Sequence, residues 1–182
     1  GSEMCIRDSS SYVPVPILEI GSFLQDNDID RVRKLFARES KDFLQKYFKK
    51  ELFFTDVEGK TKDEVLKNLC RKVEQEKGLP ETFTASVLKR EELTPTDYGN
   101  LVALPHPERA FQERAFVAVA VLKEPIFWFR QKVQVVFLTA IGREEDENLQ
   151  QFYEATTDLI LRPADVQNLI RHPDYDRLSL IH

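Results

Sequence analysis

Little in this sequence points to a disulfide framework, a metal or a membrane. The 182 residues include two cysteines, Cys5 in an unpatterned leading stretch and Cys70 on the apolar side of a predicted helix, which excludes a disulfide-stapled scaffold. No paired cysteines and no histidines at metal-ligand spacing are present, so no metal site is expected. The six glycines are not spaced as in a nucleotide cradle, and no phosphate-binding glycine loop can be read. No apolar run approaches the roughly 20 residues that cross a bilayer. The start also lacks a basic region followed by an apolar block and a cleavage site, so a cytoplasmic protein with no membrane contact is expected. Basic residues are in deficit: 26 Lys and Arg against 31 Asp and Glu give a net charge of -5. That balance is wrong for a surface that neutralises nucleic-acid phosphates, so no nucleic-acid partner is expected, and no cofactor either.

What is present reads as one well-filled α/β core with an appendage. Residues 1–16 read as a tail followed by the proline-stiffened linker Tyr12-Val13-Pro14-Val15-Pro16, a composition found where one module hands over to another. From Ile17 to Lys50 the apolar residues Ile29, Val32, Phe36, Phe43, Tyr47 and Phe48 recur at helical spacings, predicting one or two amphipathic helices. Interspersed acidic residues make their basic face a solvated surface rather than a phosphate patch. Leu52-Phe53-Phe54 is a short strand candidate.

Thr61 with Glu64 forms a capping box, and Gly78 and Pro80 end the helix that follows. A second helix is expected over Thr82 to Leu93, and Thr94 to Gly99 reads as a turn. Ala115 to Leu122 and Val133 to Ile141 are nearly uninterrupted β-branched apolar runs, the mark of strands covered on both faces. Pro125 to Phe129 reads as an aromatic turn between them, with Trp128 as a core plug. A helix over Leu149 to Ile160 closed by Pro163, then a last one around Val166, Leu169 and Ile170, complete a mixed central sheet with helices on both faces, preceded by the amphipathic segment 17–42.

The stretch most suited to chemistry is Asn100-Leu101-Val102-Ala103-Leu104-Pro105-His106-Pro107. It reads as a buried strand ended by Pro105, which cannot donate to a ladder. Pro107 restricts His106 to extended backbone, so the imidazole is presented from a stiff exit. Of the three histidines, His172 precedes a proline at a helix end and His182 is terminal. On the residues alone, a structural histidine is the simpler reading of His106.

Arg90-Glu91 followed by Gly99-Asn100-Leu101-Val102-Ala103-Leu104-Pro105-His106 resembles the mannitol/fructose-type EIIA domain of the bacterial phosphoenolpyruvate-dependent sugar phosphotransferase system. Its phosphorylated histidine stands in an RE…G-N-x-I-A-I-P-H pattern. The likeness covers residues 43–182, and is nearest to the C-terminal EIIA-like domain of BglG-type transcriptional regulators and antiterminators.

It implies that His106 accepts a phosphoryl group from phospho-HPr, that an EIIB domain is a second partner, and that Arg90 is the cation beside the phosphate. The implied protein is a phosphohistidine carrier used mainly for regulation. Imidazole suits the role because it offers an unprotonated nitrogen near neutral pH. Its other nitrogen needs an orienting carbonyl, sought in the turn Glu108 to Phe111. The planar guanidinium of Arg90 can grip two oxygens at once; its alternative is a surface charge paired with Glu91 or Glu92. Thr96 and Asn100 are further candidates for the phosphate pocket, and Leu104, Tyr98 and Phe111 for the partner face. Transport-type members carry a second histidine where this chain has Asn148. Asn148 can donate a hydrogen bond to phosphate but cannot relay a proton, which favours a regulator over a transport component. A transport-type EIIA and a docking module that has lost phosphorylation remain the alternatives. The sugar, the operon and the oligomeric state are not legible.

Overall fold

The computed structural model describes residues 46–143 and 162–178, and everything below concerns these. Five strands, β1 (Phe48–Phe54), β2 (Asp97–Gly99), β3 (Val102–Ala103), β4 (Phe116–Phe127) and β5 (Lys132–Ala140), form one sheet in the order β1-β4-β5-β3-β2. β1 runs parallel to β4 and β3 parallel to β5, while the pairs β4–β5 and β2–β3 are antiparallel. The helices are α1 (Lys62–Lys77), α2 (Thr82–Leu93), α3 (Pro163–Arg171) and the single turn α4 (Tyr175–Leu178). The mixed sheet expected from the sequence is thus observed; the segment 17–42 and the helix over Leu149 to Ile160 lie outside the described residues.

The period of two along β4 divides the core. Ala118, Ala120 and Leu122 face α1 and α2, where Val65, Leu66, Leu69, Val73, Phe83 and Val87 are buried. Val117, Val119 and Val121 face the other side, with Phe137 of β5 and with Val166 and Leu169 of α3. Both faces are covered, which is why the two long strands carry so little polar alternation.

α1 follows its local signals. Thr61 accepts from the Glu64 amide, Glu64 reaches back to the Lys60 amide at 2.8 Å, and Gly78 closes the helix at φ 63. That left-handed C-cap conformation costs glycine nothing.

Three boundaries differ from the sequence reading, each for a tertiary reason. Phe48, Lys49 and Lys50 belong to β1 rather than to a helix. The register of β1 shifts between Phe48 and Phe53, which puts Phe48 and Leu52 on opposite faces of the sheet. Phe48 is a strand residue through its pairing with Val117 of β4, a contact that local spacing does not show. β4 continues through Pro125 to Phe127, and the turn lies at 128–131. β1 has ended its pairing by Ala120 and the β4–β5 register breaks between Val121 and Ile126, so Pro125 removes no ladder bond that the sheet needs. The strand expected from Asn100 is shorter. Asn100 and Leu101 adopt φ 50 and 63 and make the tight turn between β2 and β3. Pro163 opens α3, where its missing N–H costs nothing; the helix it was expected to close lies outside the described residues.

Candidate functional site

His106 follows β3 on a path held from both sides. The Leu104 amide donates to the Thr96 carbonyl at 3.1 Å, and the Pro105 carbonyl accepts from the Thr139 amide of β5 at 2.9 Å. Pro105 and Pro107 are both buried, leaving the half-buried imidazole between two fixed points. Its Nδ1 lies 3.3 Å from the Leu104 carbonyl oxygen. When Nδ1 carries the proton it donates to that oxygen, and Nε2 keeps its lone pair. The orienting carbonyl therefore comes from two residues before the histidine and not from the turn Glu108 to Phe111.

That turn is committed to α2. The Glu108 amide donates to Ser86 Oγ at 2.9 Å, Lys89 Nζ stands 3.0 Å from the Glu108 carboxylate, and the Phe83 and Phe111 rings meet edge to face at 5.3 Å. The histidine loop is thus docked along the helix that bears Arg90.

Arg90 lies in the last turn of α2, where the helix dipole favours a cation. Its Nη1 donates to the Thr94 carbonyl at 3.3 Å. Thr96 is buried, and its hydroxyl donates to Glu91 Oε2 at 2.8 Å. Asn100 occupies the turn before β3, whereas His106 comes after that strand. Asn148 is outside the described residues. Of the suggested partner-face residues, Tyr98 is 69% exposed, while Leu104 and Phe111 are half-buried against the core.

Other chemistry is poorly supported. Burial pushes the Cys70 thiol far above its ordinary range, so it offers no thiolate. No group of three or more His, Cys, Asp and Glu side chains is gathered for a metal ion among the described residues. A groove of about 620 Å³ between α1 and α2, lined by Lys67, Arg71, Glu74 and Leu88 among others, includes neither His106 nor Arg90. Its Glu74 carboxylate is already taken by the amide and hydroxyl of Thr84. No helix among the described residues is long and apolar enough to cross a membrane.

The family model for the phosphoenolpyruvate-dependent sugar phosphotransferase system, EIIA 2, matches residues 46–181. The chain belongs to this EIIA family. It is 35% identical over 167 residues to a probable licABCH operon regulator of Bacillus subtilis (strain 168), covering 92% of the chain and 26% of that regulator. It is also 27% identical over 120 residues to the transcriptional regulator ManR of the same organism, covering 66% of the chain and 18% of that protein. The chain thus spans about a quarter or less of the regulators it matches. Among solved structures, the complex of enzyme IIA(Mtl) with phosphorylated enzyme IIB(Mtl) from Escherichia coli aligns with a TM-score of 0.62 at 17% identity, covering 74% of this chain and 96% of that one. That likeness establishes the fold.

Within this EIIA domain, the residue the sequence reading missed is Glu91. The sequence reading offers it only as a possible ion-pair partner for Arg90, yet it is 1% exposed. Its Oε1 accepts from the Thr96 amide at 2.8 Å and from the Trp128 indole at 2.7 Å, besides the Thr96 hydroxyl on Oε2. A signal was available: Phe83, Val87 and Glu91 stand at i, i+4 and i+8, so the carboxylate lies on the inward stripe of α2. Trp128 is the expected core plug, with the added task of donating to that carboxylate.

Proposed function

We propose that this EIIA domain is a phosphoryl acceptor within a sugar-responsive transcriptional regulator, charged on His106 by phospho-HPr. The observation that carries this reading is the contact of His106 Nδ1 with the Leu104 carbonyl, which leaves Nε2 as the nucleophile. The Nε2 lone pair forms the new N–P bond as the donor's N–P bond breaks, and the departing ring keeps that electron pair. Such a transfer asks the protein mainly for position and for charge stabilisation on the equatorial oxygens. Position comes from the bonds to Thr96 and Thr139; charge comes from Arg90, which leaves Thr94 and turns its guanidinium to the phosphate.

A regulatory use is supported by the operon regulator and ManR among the similar proteins, and by Asn148 at the place of a second histidine. EIIB, the partner of the structurally similar mannitol protein, is then a second contact. The domain reports carbohydrate uptake through its phosphorylation state. The decisive experiment incubates the chain with phosphoenolpyruvate, enzyme I and HPr and follows intact mass. An acid-labile phosphate is expected on wild type and absent from His106→Ala. No label on wild type identifies a docking module instead, and rapid onward transfer to a cognate EIIB identifies a transport-type protein.

A further inference from the structure

We propose that Glu91 is a positioning residue for His106, setting the imidazole tautomer through a chain of hydrogen bonds that links α2 to the segments around Thr96 and Leu104. This rests on the reading of His106 Nε2 as the phosphoryl acceptor.

The chain can be followed atom by atom. Glu91 holds Thr96 twice, through the amide and the hydroxyl at 2.8 Å each. The Thr96 carbonyl receives the Leu104 amide at 3.1 Å. Beyond that residue, the Leu104 carbonyl meets His106 Nδ1 at 3.3 Å. Trp128 fixes the other end, its indole donating to Glu91 Oε1 at 2.7 Å. Three donors converge on two oxygens, the pattern an acceptor-only carboxylate satisfies.

A purely structural core contact needs none of this, since an apolar side chain in that stripe would pack as Phe83 and Val87 do. Glu91 instead joins the last turn of α2, which carries Arg90, to Thr96, whose carbonyl holds the Leu104 amide. The expected charge and the nucleophile are thus referred to one anchor. Removing it frees Thr96, lets the Leu104 peptide rotate, and removes the preference for the proton on Nδ1.

The test reads the neutral His106 ring by long-range 1H–15N correlation in the 182-residue chain, with no phosphate present. Wild type should hold the proton on Nδ1. Glu91→Ala should shift the ratio about tenfold toward the Nε2-protonated form, the worth of one strong hydrogen bond, and slow labelling by phospho-HPr to a similar degree. Glu91→Gln should restore the ratio, because its carbonyl still accepts from Thr96 and Trp128 while the Thr96 hydroxyl turns to accept from the amide. Trp128→Phe, which removes one donor of three, should shift the ratio in the same direction by less, and it serves where Glu91→Ala does not fold. A folded Glu91→Ala or Trp128→Phe chain with the wild-type ratio overturns the proposal, as does a wild-type ring protonated on Nε2. A ratio that follows Glu91 in a chain that never takes phosphate counts against the acceptor reading and leaves the positioning intact; a labelled chain with an indifferent ratio counts against the positioning alone.

Discussion

The segment 60–78 and the segment 90–106 are both well bonded, but they are bonded differently. In the first, Lys60 to Glu64, Thr61 to Glu64 and Gly78 to Glu74 span three or four residues each. In the second, Glu91 reaches Trp128 across 37 positions and Asp97 reaches the amides of Arg130 and Gln131 across 33 and 34. A helix closed by its own neighbours forms wherever the sequence supplies cap and stop. A histidine aimed through a carboxylate on α2, a threonine before β2 and an indole after β4 exists only once the sheet is assembled.

If this contrast is sound, substitutions in the second segment cost more than those in the first. Glu91→Leu should be the most damaging, about 3 kcal/mol by chemical denaturation, because it leaves the Thr96 amide and the Trp128 indole buried without an acceptor. A loss under about 1 kcal/mol would mean water or a rearranged side chain replaces it, and would break the comparison. Outside both segments, Gly142→Ala tests another long-range approach and should cost about 2 kcal/mol. A Cβ there would overlap the Glu113 carbonyl and stand 2.7 Å from Arg114 backbone carbon; an unchanged midpoint would show that this crossing has slack.

Thr61→Ala removes a local cap and should cost about 1 kcal/mol. A loss larger than that of Glu91→Leu would reverse the ordering. The smallest effect belongs to Asp56, whose exposed carboxyl is held below the usual carboxylate range chiefly by its hydrogen bond from Lys72 at 2.7 Å. A pKa lowered on folding contributes stability above the unfolded value, and that contribution is lost as pH falls through the folded one. Asp56→Asn should therefore cost at most about 0.5 kcal/mol at neutral pH and nothing in acid. A difference that persists in acid would assign the effect to packing.

Part of the candidate site is legible in consecutive residues. The flanking prolines announced a stiffly presented histidine, and the surrounding pattern announced its family, because both are properties of consecutive residues. Glu91 was misread although its inward spacing was visible, since a charged residue is placed outside by default until a partner is known, and its indole partner is distant in sequence. The orienting carbonyl was sought in the wrong turn for the same reason: only docking onto Ser86 and Lys89 shows that Glu108 is already taken. β1 was misread at its start because Phe48 is made a strand residue by its pairing with Val117, and that partner lies on the distant β4.

By itself, then, the sequence determined α1 and α2, the two long β-branched strands and a histidine locked between prolines, all of which depend on local backbone preference and periodic burial. Tertiary structure alone decided the order β1-β4-β5-β3-β2, the bond of Glu91 to the Trp128 indole and the bond from Thr139 that holds Pro105 before His106. Those depend on contacts between distant segments, and a buried polar group takes its meaning from whichever partner folding brings to it.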